Sequence, residues 1–470
     1  MKSIHNIKNI FLLGIGGIGM SALARYFKAA GNIVCGYDKT PTELTDELIA
    51  EGIPVHFKDD VSFLPDFLSG KGINPEALVI YTPAIPKDHK EYNHLVDSGY
   101  KMWKRSEVLG LITSEATTIA VAGTHGKTTT STMIAHILKA GGIDCTAFLG
   151  GISKNYNTNL LLSRRNTEEK EVVVVEADEF DRSFLTLHPD IAVITSMDAD
   201  HLDIYGNHDE MIASYKEFAS QVTEDGTLVY RSGLPLDNIN RKKYTYALEV
   251  ASDFKAENIR IENYIYVFDI SNGTTKYTNI RLTWPGRHNV ENATGAFAAC
   301  LKFGMPPDAI MSAIESFEGV KRRFDYQIRS ERITMIDDYA HHPEELRATI
   351  QSVKELYKGK KVLGIFQPHL YSRTRDFADG FGTSLSMLDE LILMDIYPAR
   401  ELPIPGVTSE MILSKVHIAK KQVCAKEMVI EKVVNSDADV ILTLGAGDID
   451  QLVHPIKETL IKKYLKQTAQ

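Results

Sequence analysis

TIAVAGTHGKTTT, Thr118 to Thr130, decides how the rest of the chain is read. Four of its first five residues are apolar, and the run suits a buried strand. A glycine-containing loop follows, and then a helical pattern to about Lys139. A loop between strand and helix suits phosphate. Glycines let backbone N–H groups approach oxygens, and the helix start favours negative charge. Gly123, Thr124, His125, Gly126, Lys127, Thr128 and Thr129 form the expected ATP loop. Lys127 would reach the β- and γ-phosphates, and the Thr128 hydroxyl would meet Mg²⁺. The usual pattern places a glycine five positions before Gly126. Val121 stands there, so only the second half matches strictly. The strand–loop–helix setting nevertheless favours a nucleotide over a chance turn.

Two strand ends lie downstream. Glu176 follows four valines in EVVVVEADE. A carboxylate ending a buried strand needs a partner, and a hard cation bridging phosphates is one. Asp178, Glu179 and Asp181 read equally well as capping or ion-pairing acids. His201 follows the next strand, in DADHLD. Ligand groups collect at the carboxyl ends of parallel strands, which favours a metal or phosphate role for it.

Upstream, GIGGIG runs from Gly14 to Gly19 and fits GxGxxG through Gly14, Gly16 and Gly19. It follows a strand at Asn9 to Leu13 and opens a helix at Met20 to Ala30. A second strand, Ile33 to Tyr37, ends at Asp38, where a ribose-binding acid would sit. Such a loop binds a diphosphate whichever nucleoside carries it, so NAD and a UDP-sugar both fit. The apolar N-terminal run leads straight into this loop and is expected to be a first strand rather than a cleavable leader.

The chain has 470 residues, 44% of them hydrophobic, enough for several buried cores. Alternating strand and helix signals divide it into three α/β domains, with hinges expected at Trp103 to Thr118 and at GVKRRFD, Gly319 to Asp325. Gly226 to Leu282 reads as a small antiparallel set. The last domain carries strands near Thr334 to Asp337, Lys361 to Phe366, Glu390 to Met394 and Asp439 to Leu444. The net charge of −10 argues against a general nucleic-acid or membrane binder, so positive charge for anions must be local. No apolar run reaches about 18 residues, so no membrane span is expected. Cys35, Cys145, Cys300 and Cys424 are scattered and read as free thiols. Arg322 and Arg323 at the second hinge, and Arg373 and Arg375 after a strand, could bind carboxylate or phosphate. Their positions favour Arg323 and Arg373. DDYAHHPEE, Asp337 to Glu345, is too rich in charged and aromatic groups for packing alone.

GIGGIGMSALA, GTHGKTTT, EADE, DADHLD, GRHNVENATGA, GVKRRFD, DDYAHHP, FQPHLYSRTRD and GAGDI, in this order, resemble the Mur ligases of bacterial cell-wall synthesis. The resemblance spans nearly the whole chain. It implies a Rossmann-like UDP-substrate domain at 1–110, a P-loop-type ATP domain at 111–320 and a Rossmann-like amino-acid domain at 321–470. It implies that ATP phosphorylates the lactyl carboxylate of UDP-N-acetylmuramic acid and that L-alanine attacks the acyl phosphate. The setting would be cytoplasmic peptidoglycan precursor synthesis, by a monomer or homodimer.

By resemblance, Thr128, Glu176 and His201 would hold Mg²⁺, with two ions in all. His288 and Asn292 would face adenine, and Asp337 or Asp338 the ribose. Arg323 would reach the nucleotide phosphates. Tyr339, His341 and Arg373 would face alanine, with neutral His341 helping to deprotonate its ammonium. Gly14, Gly16, Gly17, Ile18, Gly19, Met20, Asp38 and Thr82 would line the UDP-substrate site. The catalytic set is then Lys127, Glu176, His201, Arg323 and His341. Many relatives carry arginine at Leu370 and a serine pair at Thr82-Pro83. Some sister ligases use a carbamylated lysine, for which Lys216 is only near in sequence. A tripeptide-recycling ligase shares most motifs, but DADHLDIYG sits closer to the alanine-adding form. An NAD oxidoreductase would leave GTHGKTT idle. A non-catalytic switch would not need Lys127, Glu176 and His201 together.

Overall fold

The computed structural model describes residues 6–70, 72–164, 170–199, 202–399 and 401–464. His201 lies outside them. The architecture is α/β with three sheets. The chain divides into two compact units. One comprises residues 1–257, 269–280 and 291–318, and the other residues 258–268, 281–290 and 319–470.

The first sheet has five parallel strands. Asn9–Leu13 lies between Ile33–Tyr37 and Ala77–Tyr81, with Val55–His56 and Met102–Lys104 at the edges. Ile10, Phe11, Leu12 and Leu13 are fully buried, as a strand covered on both faces requires. Strand order reverses between Asn9–Leu13 and Ala77–Tyr81, so the loops after these strands open a crevice. The glycine loop and Thr82 stand at that point. The stretch expected as a first hinge, Trp103 to Thr118, is largely helical. It holds the end of an edge strand and the helix Arg105–Thr113, whose Val108 and Leu109 are buried in a core. Apolar spacing, not linker composition, governs that stretch.

In the second sheet the phosphate-loop strand, Thr117–Ala122, lies between Val172–Glu176 and Ile191–Ile194, parallel to both. Val121 is level with Glu176, and Ala122 with Ile194, so all three strands end together. The antiparallel expectation for Gly226 to Leu282 holds only in part. Thr227–Arg231, Lys242–Leu248 and the start of Phe254–Glu262 add in parallel. Residues 232–241 return the chain by a loop without a helix, which leaves a polar pattern that resembles a meander. The next turn does make a hairpin: Asn263 and Tyr264 have φ of 52° and 62°, the two-residue geometry that joins antiparallel neighbours.

The third sheet has six strands. Asp325–Arg329 pairs antiparallel with Thr334–Asp338, and the remaining pairs are parallel. Thr334–Asp338 and Val362–Phe366 both flank Val440–Leu444, so Asp338, Leu444 and Phe366 end level. That register gathers DDYAHH, GAGD and FQPHLYSR at one end of the sheet.

Candidate active site

The phosphate loop owes its shape to glycine. Gly123 has φ of 135°, and a Cβ there would lie 2.1 Å from Thr195 Oγ1. Gly126 has φ of 84°, and a Cβ would lie 2.7 Å from Asn292 Oδ1. The residues after Ile191–Ile194 cradle the loop. His125 N–H donates to Ser196 Oγ (2.8 Å), and Thr124 Oγ1 donates to the Asp198 carbonyl (2.8 Å). The helix Lys127–Ala140 has no acid in its first turn and no side-chain cap. Its first N–H groups therefore face outward as an anion site.

Lys127 Nζ donates to the Gly123 carbonyl at 2.7 Å and to Glu179 Oε1 at 2.9 Å. Burial opposes its charge, but Glu179, Asp178 and Glu176 outweigh burial and hold the ammonium above its ordinary pKa. Lys127 is thus charged at any working pH. Of the acids left between two readings, all three pair with cations: Glu179 with Lys127, Asp181 with Lys104 at 2.6 Å and Asp178 with Arg105 at 3.6 Å.

Glu176 ends its strand at a cavity of about 260 Å³, which Gly17, Gly19, Thr82 and Arg105 also line. A Cβ on Gly150 would lie 2.0 Å from Glu176 Oε2, so only glycine leaves the carboxylate its place. Across the cavity a Cβ on Gly19 would lie 2.1 Å from Arg105 Nη1. Arg105 therefore stands where the glycine-loop helix begins. Arg105, Ser106 and Phe148 were missed from sequence. Arg105 opens a helix whose apolar spacing was read as linker, and nothing local marks it. Asp38 accepts from Gly16 N–H at 2.8 Å and from Thr40 N–H at 3.1 Å, so it shapes the glycine loop. Ile18 and Met20 line the same cavity. Gly14, at φ of 84°, packs against Thr82.

Among the described residues no three His, Cys, Asp or Glu side chains gather as a metal cage. Mg²⁺ needs none, because it keeps waters and binds through one or two carboxylates plus phosphates. Thr128 at the helix start and Glu176 one strand away are oxygen donors of the right kind. Lys216 is exposed on the helix His208–Ser220.

The second cluster belongs to the other unit. Asp337 accepts from Arg322 Nε at 3.1 Å and from Thr443 Oγ1 at 2.7 Å. Asp338 accepts from Phe324 N–H, Ala340 N–H and Thr349 Oγ1 at 2.8–3.1 Å. Burial raises both carboxyls, Asp338 to about 6. Arg322, at φ of 59°, also donates to the Gly445 carbonyl, so it braces the strand ends. Arg323 and Arg322 lie 5.2 and 5.3 Å from the Tyr339 ring centroid. His341 meets Tyr339 edge-on, with ring centroids 5.2 Å apart. Burial, with the charges of Arg373 and Arg323, lowers its pKa to about 4 against the opposing pull of Glu345. His288, one helical turn before Asn292 on Arg287–Phe303, is lowered to about 4 by burial and Arg323. Arg375 is exposed and pairs with Asp376 at 2.7 Å, whereas Arg373 is half-buried. Leu370 has φ of 72°, a strained value for a branched side chain, where the chain turns into Tyr371–Asp376.

Residues 9–117 match the Mur ligase family catalytic domain, 121–300 the Mur ligase middle domain, and 322–447 the Mur ligase glutamate ligase domain. The chain is 51% identical to a UDP-N-acetylmuramate–L-alanine ligase of Flavobacterium johnsoniae, over 97% of this chain and 99% of that protein. Among solved structures, the UDP-N-acetylmuramate–alanine ligase of Thermotoga maritima superimposes with a TM-score of 0.82 at 28% identity, covering 97% of this chain and 99% of that one. A murein peptide ligase of Psychrobacter arcticus shares the fold, with a TM-score of 0.70 at 23% identity, covering 96% and 98%. With the glycine-loop crevice in the first of three successive domain matches and the phosphate loop and strand-end Glu176 in the second, the chain belongs to the Mur ligase family.

Proposed function

We propose that the protein joins L-alanine to the lactyl carboxylate of UDP-N-acetylmuramic acid, using ATP and passing through an acyl phosphate. ADP, phosphate and UDP-N-acetylmuramoyl-L-alanine are the products, in cytoplasmic peptidoglycan precursor synthesis. The observation that carries this reading is the shared end of three parallel strands, where Lys127, Glu176 and the 195–198 loop meet. It is supported by end-to-end identity to an alanine-adding relative.

Residues 1–110 would bind the UDP-substrate, 111–320 ATP, and 321–470 the amino acid. The loop N–H groups and Lys127 would grip the phosphates and neutralise charge on the transferring phosphoryl group. Thr128 and Glu176, with His201, would hold Mg²⁺, which when bound draws charge from the phosphate oxygens. The crevice at Gly14, Gly16, Gly17, Ile18, Gly19, Met20, Asp38 and Thr82 would take the UDP end. Arg105 faces it with positive charge. Asn292 beside Gly126, and His288 on the same helix, would meet adenine. Asp337 or Asp338 would add a ribose contact to the donors each already accepts. Arg323 would meet the nucleotide phosphates. Tyr339, His341 and Arg373 would receive alanine.

Phosphate release with UDP-N-acetylmuramic acid, ATP and Mg²⁺ tests this. It should require L-alanine. Release only with the tripeptide would reassign the protein to recycling. Tight NADH binding without ATP turnover would remove the ligase reading.

A further inference from the structure

Glu345 was not singled out from the sequence, yet it touches two members of the expected catalytic set. It lies in the first turn of the helix Pro343–Leu356. Its Oε1 is 3.5 Å from Arg323 Nη1. Its Oε2 accepts the His341 backbone N–H at 3.0 Å and stands 3.3 Å from Nδ1 of the His341 ring. Nδ1 also lies 3.0 Å from the Tyr339 carbonyl oxygen. A carbonyl and a carboxylate are both acceptors. The neutral ring therefore carries its hydrogen on Nδ1, and Nε2 keeps the lone pair.

We propose that Glu345 is a positioning residue that fixes His341 as the Nδ1–H tautomer and so makes Nε2 the proton acceptor for the incoming amine. The proposal rests on the ligase reading above. Groups from several elements bear on the ring: Arg323 before the sheet, Tyr339 in the same loop, His369 at 6.0 Å between ring centroids, Arg373 on Tyr371–Asp376, and Glu345. The two arginines oppose an imidazolium. Glu345 is the carboxylate among these groups, and it favours the cation that proton uptake creates. A base oriented by a third group through its far nitrogen is a recurrent catalytic device.

The step balances. The alanine ammonium gives one proton to Nε2. The freed amine attacks the acyl carbon, the C–N bond forms and the carbon–oxygen bond to phosphate breaks. The second nitrogen proton leaves with hydrogenphosphate, and the imidazolium returns its proton to water.

The test compares two nucleophiles. L-alanine arrives as an ammonium and needs the base, whereas hydroxylamine is already neutral at pH 8 and traps the acyl phosphate as a hydroxamate. In Glu345→Gln, alanine ligation should fall about 10²-fold, while hydroxamate formation falls less than about threefold. Glu345→Asp should recover part of the alanine rate. The alanine rate of Glu345→Gln should also rise more steeply with pH than that of the unaltered protein, as free amine replaces base catalysis. His341→Gln, which leaves the backbone anchors of Glu345 in place, should show the same selective loss even if Glu345→Gln does not fold. Equal loss with both nucleophiles, or none with either, overturns the proposal. Unaltered protein that makes hydroxamate but no alanine product would instead overturn the substrate reading.

Discussion

The phosphate loop and the DDYAHH cluster handle buried charge in opposite ways. In the loop, Lys127 is surrounded by carboxylates and stays charged. In the cluster, His341 and His288 are pushed to about 4 by burial and nearby arginines, and stay neutral. A group that must neutralise phosphate needs a fixed charge, and a group that must accept a proton needs an unprotonated lone pair. The loop is also contiguous in sequence, whereas the cluster is assembled from three strand ends. The contrast predicts that Lys127 variants fail in phosphoryl transfer and His341 variants fail in amine attack.

The largest expected effect is at Lys127. Lys127→Ala should lower alanine-dependent phosphate release by about 10³-fold or more, with UDP-N-acetylmuramic acid binding by calorimetry unchanged. Equal loss of both would mean that ATP and the UDP-substrate do not occupy separate sites. The change also takes the ammonium from a carboxylate that is 1% exposed, which costs about 3–5 kcal/mol of stability. Adding Glu179→Gln should return most of the stability and none of the activity.

Next is Gly150→Ala. The new Cβ would displace Glu176, and a shift of about 1 Å at a reacting centre costs about 10²-fold. The kcat should fall and the Mg²⁺ requirement should rise. An unchanged Mg²⁺ dependence would place Glu176 outside the metal site. On the cluster side, Arg373→Ala should raise the KM for alanine about 10–100-fold, the worth of a hydrogen-bonded charge, while the KM for ATP stays within about threefold.

Acid should separate the two regions. A histidine whose folded pKa lies below its unfolded value adds stability above about pH 6.5, and that stability is lost as pH falls towards 4. Asp338, raised to about 6, and Asp337, also raised by burial, oppose this, because protonation favours the folded form there. Between pH 6.5 and 4 the urea midpoint should therefore fall less in His288→Gln and in His341→Gln than in the unaltered protein. Lys127 contributes no change in that window. The smallest effect is expected at Arg375→Ala. It lies in the same motif as Arg373, but its charge is exposed, and activity should stay within about twofold.

The phosphate loop was legible because strand, glycine loop and helix start are consecutive, and so are all its ligands. Glu176 was legible for a related reason: a carboxylate after four valines is anomalous locally. The ion pairs of Asp178, Glu179 and Asp181 were not, since their partners Arg105, Lys127 and Lys104 lie 52–77 residues away in the chain. Arg105 and Glu345 carry no anomaly in their own segments. Arg105 acquires its role from Gly19 and Asp178, and Glu345 from Arg323 and the turn at His341. The parallel pairing of Thr227–Arg231 and Lys242–Leu248 was misjudged because residue pattern reports which face is buried and not the direction of the neighbour.

Sequence alone determined the α/β class, the order of the motifs, the phosphate-loop chemistry and the expectation that Lys127 acts on an anion. These follow from local backbone geometry and from periodicity, which act over a few residues. Tertiary structure decided that Glu179 holds Lys127 and that Gly150 leaves room for Glu176. Each depends on distances between residues far apart in the chain, and hydrogen bonding and charge at 3 Å are set by those distances rather than by composition.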